Sequence, residues 1–456
     1  MFPWQQHANS HRQFETALQD FSQGVAFDWR TLSEKIDEAA IWLKQNQVVI
    51  GVGVALEGKN SFALLCYYLA ALQLNARVLL LNPEFSQEKK DKLLRHNQVS
   101  LLVKFEQNQP HFSLLKDGVV NTDFACTMTL TSGSSGFPKA VVHKVQAHLD
   151  NAQGVCELMQ FQSIHSWLLS LPLYHVSGQG IVWRWLLQGA ELQLPSEDFY
   201  ASVLNATHVS LVPTQAQRLI DFLQKMPQSA VKLQRVLLGG AVIPVEITEK
   251  LTALGIQSYV GYGLTEMAST VCAKPANGEK GVGCPLHGRE VDIRCEAVFL
   301  RGAGLALGYW KEGNIEPLTD KQGWFESKDR GMWQDNQLHI LGRLDNMFIS
   351  GGENIQPEEI EQLMLQFPLL EQVVVLPVDD PEFGQRPVAM VKFSGEASVN
   401  VLEKSKVEEL RLFLRNKIEK FKQPIEYFPL QTEYLGQIKI SRTELKKQLD
   451  IRLGKN

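Results

Sequence analysis

The spacing of apolar residues along the first 130 positions predicts alternating strands and helices. Residues 27–46 carry apolar side chains at helical intervals, after a candidate N-cap at Thr31. A strand-like run at 48–56, an apolar helix at 62–74 and a second strand at 78–81 follow. A strand, a helix and a strand joined by short loops form a βαβ unit with parallel pairing. The pattern therefore predicts an α/β fold.

Later apolar runs end in small, aromatic or hydroxyl residues. A strand predicted from residue 167 onward delivers His175 and Ser177 to its end. Two further strands end in the glycine-containing segments 239–241 and 261–266. Because ligands of α/β sheets bind at the carboxyl ends of the strands, we expect a nucleotide pocket among these segments.

The pattern changes in the second half of the chain. Glycine-rich, short strand-like runs predict a β-rich subdomain at about 280–344. A charged and polar stretch ahead of a double glycine, at 342–353, is a candidate interdomain boundary, and a helix at 403–421 follows further on. We therefore predict a large N-terminal α/β domain, residues 1–344, and a small C-terminal α+β domain, residues 345–456.

Length and composition limit the classes of protein that the chain can belong to. Its 456 residues are too many for one ordinary core, and a formal net charge of −5 gives no reason to expect a nucleic-acid partner. The six cysteines include no C-x-x-C pair, which suits a reducing cytosol. The most apolar run, 62–72, has 11 residues and is too short for a membrane span, and the N-terminus lacks the features of a signal peptide. We expect a cytoplasmic protein with no membrane span; its oligomeric state, a homo-oligomer included, stays open.

The segment 129–139 reads T-L-T-S-G-S-S-G-F-P-K and concentrates hydroxyl side chains and glycines. Hydroxyls and unobstructed backbone N–H groups are what a loop offers to an anionic phosphate. The segment is not a Walker A motif, because Pro138 precedes Lys139 and a β-branched run follows where that motif opens a helix. From the residues alone, a flexible turn between two strands stays the alternative to a phosphate site.

One arginine, Arg184, lies inside an apolar helical run between Trp183 and Trp185. A buried guanidinium requires an acidic partner, because isolated buried charge is very costly. That partner is either a carboxylate of the protein or a carboxylate of the substrate, and the pattern does not decide between them.

The run G-Y-G-L-T-E at 261–266 offers three kinds of contact to a nucleotide. Tyr262 can stack on a base, Thr265 can donate to a phosphate, and Glu266 can bind Mg²⁺. Taken alone the run is a weak signal, since a single glutamate is more often a solvated or helix-capping carboxylate.

In this order, the segments resemble the adenylate-forming ligases, a family that contains acyl-CoA synthetases, luciferases and the adenylation domains of peptide synthetases. The resemblance covers about residues 25–450. It implies the adenylate-forming ligase fold, with ATP, Mg²⁺ and coenzyme A as ligands. It also implies the ligation of an acid to a thiol through an acyl-adenylate.

The resemblance further implies roles for individual residues. Glu266 would hold Mg²⁺, and Thr265 would contact the α-phosphate of ATP. Lys439 would neutralise charge at the α-phosphoryl and carboxylate oxygens in the first half-reaction, and Asp345 would be the hinge of the C-terminal domain. The implied nucleotide and coenzyme ligands are Thr131, Ser132, Gly133, Ser134, Ser135, Gly136, Lys139, Gly239, Gly240, Ala241, Tyr262, Gly263, Asp329, Arg343, Gly351 and Gly352.

Longer strings are similar to one subgroup of these ligases, whose acid substrate carries two carboxylates. They lie at 171–186, 210–215, 261–274 and 342–361. This similarity implies that one carboxylate is activated and that Arg184 anchors the other. Ser210, Ser177 and His175 would line the same pocket, with His175 among the catalytic residues.

Overall fold

A computed structural model of the chain describes residues 1–106, 109–115, 118–120, 122–131, 137–225, 231–395, 401–415, 417–430 and 441–454. The chain folds into two compact units. The first contains Met1–Val291 and Leu300–Phe325, and the second contains Asp292–Phe299 and Glu326–Asn456. Asp329, Arg343 and Asp345 therefore share the second unit, while the domain limit predicted at residue 345 stays a prediction.

The described residues form 12 α-helices. They are α1 (Pro3–Ala8), α2 (Trp29–Gln45), α3 (Phe62–Gln73), α4 (Gln87–His96), α5 (Val145–Leu158), α6 (Val176–Gln188), α7 (Phe199–Asn205), α8 (Pro213–Leu223), α9 (Val245–Ala253), α10 (Pro357–Met364), α11 (Lys404–Arg415) and α12 (Arg442–Arg452).

The strands are shorter and more numerous. They are β1 (Thr16–Asp20), β2 (Val25–Asp28), β3 (Gly53–Glu57), β4 (Arg77–Leu81), β5 (Leu101–Glu106), β6 (Gln109–Leu114), β7 (Cys126–Thr131), β8 (Lys139–Lys144), β9 (Ser166–Leu168), β10 (Glu191–Leu194), β11 (His208–Leu211), β12 (Arg235–Leu238), β13 (Gln257–Leu264), β14 (Ser269–Pro275), β15 (Cys284–Pro285), β16 (Arg289–Arg294), β17 (Ala297–Gly302), β18 (Gly308–Lys311), β19 (Asn314–Glu316), β20 (Phe325–Gln334), β21 (Gln337–Arg343), β22 (Phe348–Ser350), β23 (Glu353–Ile355), β24 (Leu370–Asp380), β25 (Gly384–Phe393) and β26 (Tyr427–Pro429).

A nine-stranded sheet forms one half of the first unit, in the order β15-β14-β13-β12-β11-β9-β10-β1-β2. Its central strands are parallel, with Ser210 of β11 opposite Leu237 of β12 and Leu238 of β12 opposite Val260 of β13. Apolar side chains of these strands pack on α8 and α9 in a buried core. The carboxyl ends of β11, β12 and β13 therefore lie side by side, as the sequence predicted for its glycine-containing segments.

An eight-stranded sheet forms the other half, in the order β19-β18-β8-β7-β4-β3-β5-β6. Strands β3, β4 and β5 are parallel to one another, which confirms the predicted βαβ arrangement. Strands β7 and β8 are antiparallel, so residues 132–138 connect two strands of a hairpin. The antiparallel β18 lies on the other side of β8 and brings the segment around Tyr309 to the same hairpin.

The second unit is built on two smaller sheets. One has the order β16-β17-β20-β21, with residues of Asp292–Phe299 in its first two strands. The other is five-stranded, with β24 and β25 paired over their whole length and β26 beside β25. Helices α10 and α11 pack on this sheet around an apolar core that includes Ile360, Val391 and Leu410.

Three local expectations from the sequence are wrong. Helix α2 is capped by Asp28, whose carboxylate accepts a hydrogen bond from the Thr31 backbone, so Thr31 lies inside the helix. The helix predicted at 403–421 spans Lys404–Arg415, and Lys420–Lys422 form a separate 3₁₀ helix. The strand predicted from residue 167 onward ends at Leu168.

No helix in the part of the chain that the structure describes is long and apolar enough to cross a membrane.

Candidate active site

The predicted phosphate-binding segment connects β7 and β8. Thr131 pairs with Lys139 at the end of this hairpin where the connecting segment begins and ends, and Lys139 is exposed. The other predicted ligands in the turn lie outside the described residues; they are Ser132, Gly133, Ser134, Ser135 and Gly136. The hairpin thus carries an exposed lysine, a side chain that can bind phosphate, at the end of β8 nearest this segment.

Tyr309 connects two of the predicted ligand-binding side chains. Its hydroxyl donates a hydrogen bond of 2.9 Å to Glu266 Oε1. The Lys139 ammonium lies 5.0 Å from the centre of the Tyr309 ring, within the range of a cation–π interaction. The structure therefore brings Lys139 and Glu266, which are distant in the sequence, to the same tyrosine.

Glu266 fits a magnesium site of a particular kind. Its side chain is largely buried, with 9% of the residue exposed, and one of its oxygens is bound by Tyr309. Within the described ranges, no cluster of three or more His, Cys, Asp or Glu side chains could hold a metal ion. Magnesium commonly keeps several waters and is held by one or two carboxylates and substrate phosphates. Glu266 is thus a suitable protein ligand for Mg²⁺ that arrives with a nucleotide.

The backbone around Glu266 is fixed by a tight turn. Thr265 and Glu266 belong to a 3₁₀ helix, Thr265–Met267, and the next residue, Ala268, has a left-handed φ of +54°. The Asn151 amide donates to the Met267 carbonyl at 2.8 Å and to the Thr270 carbonyl at 2.9 Å. These two bonds fix the backbone of the turn that separates Glu266 from Thr270.

Glycines shape the ends of β12 and β13. A Cβ atom on Gly263 would lie 1.9 Å from the Ser269 carbonyl oxygen, so no other residue fits the bulge that follows Tyr262. Gly240 has φ +83°, in the left-handed region that favours glycine. The predicted adenine-binding segments 239–241 and 261–263 therefore lie at the carboxyl-terminal parts of two neighbouring parallel strands.

Arg184 is buried in α6 without an acidic partner. Only 1% of the residue is exposed, and no carboxylate of the described residues forms an ion pair with it. Its two terminal nitrogens donate long hydrogen bonds to Ser210 Oγ at 3.4 Å and to Thr270 Oγ1 at 3.5 Å. Its Nε has no hydrogen-bond partner. Burial lowers the pKa of Arg184 to about 10.

A second buried arginine shows what a satisfied guanidinium looks like in this fold. Arg77 is 0% exposed, stacks on Trp310 at 3.9 Å and donates to four backbone carbonyls. These acceptors belong to Gly51 at 3.1 Å, Asn97 at 3.3 Å, Gln98 at 3.2 Å and Val119 at 3.0 Å. Among the described residues, Arg184 has two distant hydroxyls and the Trp167 ring, 5.0 Å from its guanidinium carbon, so most of its hydrogen-bonding capacity is left for a carboxylate from outside the protein.

The remaining predicted acid-site residues lie near the start of the same helix. His175 immediately precedes α6, where its ring packs 4.8 Å from Tyr174, and Ser177 is in the first turn. Gln179, which sequence reasoning did not single out, is fully buried and donates to Thr129 Oγ1 of β7 at 3.0 Å. Helix α6 is therefore tied to the strand that enters the phosphate hairpin.

The second unit contains another predicted group. Asp329 of β20 lies opposite Arg343 of β21, with Arg343 Nη1 3.2 Å from Asp329 Oδ1. Arg343 also binds Asp345 in a bidentate manner, at 2.8 and 2.9 Å. One guanidinium thus holds the carboxylates of the predicted ribose ligand and of the predicted hinge.

The predicted coenzyme ligands Gly351 and Gly352 form an exposed turn of the second unit. Their φ values are +59° and +86°, which favour glycine. A Cβ on Gly351 would lie 2.9 Å from the Phe383 ring, whereas a Cβ on Gly352 would meet nothing within 4 Å. The predicted catalytic Lys439 lies outside the described residues.

Two residues in contact with the site were missed by sequence reasoning. Thr270 lies in the string 261–274, which is similar to the ligase subgroup. The need of the buried Arg184 for hydrogen-bond acceptors could have directed attention to a hydroxyl in that string. Tyr309 follows a glycine in an ordinary strand-like run, and nothing in its neighbourhood signals a contact with Glu266. Only the pairing of β18 with β8 reveals it.

Comparison with known proteins agrees with this geometry. The sequence matches the family described as AMP-binding enzyme over residues 4–123 and 107–310. A 2-succinylbenzoate–CoA ligase of Haemophilus influenzae is 52% identical over 447 residues, which cover 98% of this chain and 98% of the relative. The corresponding ligase of Escherichia coli is 45% identical over 432 residues, with 92% of each chain covered.

A solved structure, an arginine-to-lysine variant of E. coli MenE with bound OSB-AMS, matches the chain with a TM-score of 0.86 at 41% identity and covers 98% of each chain. The predicted adenylate-forming ligase fold is confirmed by this match. On the sequence and the fold together, the chain belongs to the family of AMP-binding, adenylate-forming enzymes.

Proposed function

We propose that the chain is an AMP-forming acid–thiol ligase that joins 2-succinylbenzoate to coenzyme A in menaquinone biosynthesis. The observation that carries the proposal is the buried guanidinium of Arg184, which has no carboxylate partner among the described residues. A substrate with two carboxylates can offer one to Arg184 and leave the other free to react. The names of the relatives, at 52% and 45% identity, support the same substrate.

The chemistry requires ATP because a carboxylate does not acylate a thiol directly, since oxide would have to leave. Attack of the aliphatic carboxylate on the α-phosphorus of ATP forms a mixed anhydride with AMP and releases pyrophosphate. The thiol of coenzyme A then attacks the acyl carbon, and AMP leaves. Both steps develop anionic charge, so the protein acts mainly by positioning and electrostatic stabilisation.

The phosphate end of the site is built around the hairpin and the turn that carries Glu266. Lys139, together with the turn that follows Thr131, binds the β- and γ-phosphates in this proposal. Thr265 donates to the α-phosphate. Glu266 would hold Mg²⁺, which would supply positive charge near the phosphates, and the contact of Tyr309 with both Lys139 and Glu266 supports this assignment.

The part of the site that binds the acid substrate begins at Thr270, on the chain segment that also carries Glu266. Thr270, four residues after Glu266, contacts Arg184, and Arg184 contacts Ser210 at the end of β11. The aromatic carboxylate of 2-succinylbenzoate accepts from the Arg184 guanidinium, with Ser210 beside it. The succinyl arm then points towards the phosphate end, where Ser177 and His175 line its path.

The remaining roles that the family resemblance implies fall on residues of the second unit. Asp329 and Arg343 bind the ribose, and their mutual ion pair orders them for that purpose. Lys439 neutralises charge on the α-phosphate and the reacting carboxylate. Rotation about Asp345 then withdraws Lys439 and lets Gly351–Gly352 line the path of the pantetheine arm. The bidentate contact of Asp345 with Arg343 makes this position suitable for a hinge that responds to bound nucleotide.

We place the enzyme in the cytoplasm, because none of its six cysteines, all of which lie in described parts of the chain, forms a disulfide, as expected in a reducing compartment. The nearest alternative activity is that of another aryl or fatty acyl-CoA synthetase of the same family. Such an enzyme has no need of an unpaired buried arginine in its acid pocket.

An ATP–pyrophosphate exchange assay with a panel of acids tests the proposal. The panel contains 2-succinylbenzoate, benzoate, a medium-chain fatty acid and 4-oxo-4-phenylbutanoate, which lacks only the aromatic carboxylate. We expect exchange with 2-succinylbenzoate to exceed exchange with each of the others by about 100-fold or more in kcat/KM. Equal exchange with benzoate or the fatty acid would reject the assigned substrate, and no exchange with any acid would reject the adenylate-forming activity.

A further inference from the structure

Tyr309 contacts two opposite charges that the proposed reaction needs separately. Its hydroxyl binds Glu266 Oε1 at 2.9 Å, and its ring lies 5.0 Å from the Lys139 ammonium. No ion pair joins Lys139 to Glu266 or to any other carboxylate of the described chain. Opposite charges within about 4 Å of each other attract strongly in a partly buried site. A direct ion pair between Lys139 and Glu266 would therefore compete with the binding of phosphate and metal by the same two groups.

We propose that Tyr309 is a positioning residue that holds the Glu266 carboxylate ready for Mg²⁺ and keeps it apart from the Lys139 ammonium. The inference rests on the proposed function for the identity of the ligand, Mg²⁺ with ATP. With Tyr309 in place, one oxygen of Glu266 is oriented by the hydroxyl and the other stays available to the metal. Lys139 keeps its charge for the phosphates and interacts meanwhile with the neutral ring.

The position of Tyr309 is fixed by rigid elements on both sides. Strand β18 pairs with β8 so that Tyr309 is opposite Val141, two residues after Lys139. The next residue, Trp310, is 2% exposed and stacks on the buried Arg77 guanidinium at 3.9 Å. Tyr309 is therefore held at the hairpin by its own strand, as a residue that orients others must be.

The close packing around this strand supports the same view. A Cβ on Gly308 would lie 2.2 Å from the Glu316 carbonyl oxygen, so β19 lies directly against the backbone that precedes Tyr309. The Leu307 backbone N–H donates to Val142, and the Ala306 N–H donates to the Glu266 carbonyl, both at 2.9 Å. The segment before Tyr309 thus bridges the hairpin and the Glu266 turn through backbone bonds that do not depend on the tyrosine side chain.

Two substitutions separate the functions of the hydroxyl and the ring. Tyr309→Phe removes the hydrogen bond to Glu266 and leaves the ring beneath Lys139, whereas Tyr309→Leu removes both. Tyr67→Phe is the matched control, because Tyr67 lies on α3 and packs against Trp42 and Phe105, far in the fold from the hairpin.

The readout is the affinity for ATP, measured by isothermal titration calorimetry with excess Mg²⁺ and again with EDTA. For the unsubstituted chain and Tyr67→Phe, Mg²⁺ should strengthen ATP binding by the same factor. For Tyr309→Phe we expect that factor to fall by about tenfold, while the affinity in EDTA stays within about twofold. Tyr309→Leu should also weaken binding in EDTA, because Lys139 is then free to pair with Glu266.

Two results would overturn the inference. One is an unchanged Mg²⁺-dependent gain in Tyr309→Phe. The other is an equal loss with and without Mg²⁺, which would give the hydroxyl a purely structural role. Failure of the proposed function has a different signature, since the unsubstituted chain would then bind ATP but show no exchange with 2-succinylbenzoate.

Discussion

Replacement of Arg184 by methionine separates its cost to the fold from its use in binding. Methionine keeps a long unbranched side chain against Trp167, whose ring lies 5.0 Å from the guanidinium carbon. It removes the charge and both long hydrogen bonds to Ser210 and Thr270. We expect stability and activity to change in opposite directions, which a purely structural arginine would not allow.

The expected magnitudes follow from the burial of the guanidinium. Burial is the largest cause that lowers the pKa of Arg184 from 12.5 to about 10, and that difference, converted at about 1.4 kcal/mol per pH unit, corresponds to roughly 3.5 kcal/mol against the charged form. Arg184→Met relieves this cost, so the free energy of unfolding should rise by about 1–3 kcal/mol. Loss of one partner from a buried ion pair with the substrate should raise the activation free energy by about 3 kcal/mol, which lowers kcat/KM for 2-succinylbenzoate roughly 100-fold.

Arg77→Met is the matched control for stability. Arg77 is equally buried, but its guanidinium satisfies four backbone carbonyls. Removal of these bonds leaves buried acceptors unpaired at about 1–3 kcal/mol each, so Arg77→Met should unfold at a lower temperature than the unsubstituted chain. Thermal unfolding of the two variants, followed by circular dichroism, therefore gives changes of opposite sign.

The substrate provides the second half of the test. On 4-oxo-4-phenylbutanoate, which lacks the aromatic carboxylate, Arg184→Met should stay within about threefold of the unsubstituted chain, since the interaction that it removes is absent already. A loss of equal size on both acids would show that Arg184 acts on the fold of the site and not on the second carboxylate. Unchanged kcat/KM with 2-succinylbenzoate would refute the assignment outright.

Three further predictions concern other parts of the chain. Lys439→Ala should abolish formation of the acyl-adenylate but leave thiolation of a supplied acyl-adenylate largely intact; an equal fall in both half-reactions would remove the assigned role. Asp329→Ala should raise KM for ATP about tenfold or more through loss of a charged hydrogen bond to ribose, and should remove any preference for ATP over 2′-deoxy-ATP, whereas a retained preference would contradict the ribose contact. Burial lowers the pKa of His143 and His208 to about 4 and holds that of His148 well below its usual value. The unfolded chain therefore binds protons at these histidines near pH 6.5 while the folded chain does not, so the free energy of unfolding should fall as pH decreases from 6.5 towards 4, by up to about 1.4 kcal/mol per pH unit for each histidine. A flat profile of thermal unfolding over that range would show that these histidines are not held neutral by the fold.

The elements that position the site were largely predictable, because their signals are local. The β-branched run after Lys139 predicted a strand, and β8 is that strand. The glycines at 239–240 and 261–263 predicted open strand ends, and parallel pairing of β12 with β13 brings them together.

The segment after Leu168 was mispredicted as a strand because a buried irregular segment and a buried strand both consist of consecutive apolar residues. Its hydrogen bonds come from a distant side chain: the Asn60 amide donates to the Leu171 carbonyl at 2.8 Å and accepts from the Leu173 N–H at 2.9 Å. Bonds of this kind replace the ladder of a sheet, and no periodicity in the segment itself reports them.

The partners of the functional side chains were not predictable, because they depend on tertiary contacts. A carboxylate of the protein and a carboxylate of the substrate were equally compatible as partners of Arg184 in an apolar helix. The choice between them depends on which groups the fold places around the guanidinium. The contact between Tyr309 and Glu266 requires an antiparallel pairing of strands far apart in the chain, which no local pattern encodes.

The most direct test of the central claim is a chemical-quench experiment in the absence of coenzyme A. The chain is mixed with ATP, Mg²⁺ and 2-succinylbenzoate, quenched in acid, and analysed by mass spectrometry. We expect an enzyme-bound mixed anhydride of 2-succinylbenzoate and AMP in a stoichiometry near one per chain, with pyrophosphate in equal amount, and its conversion to the thioester and AMP when coenzyme A is added. Formation of ADP and inorganic phosphate, or appearance of the thioester without a prior adenylate, would contradict the proposed mechanism.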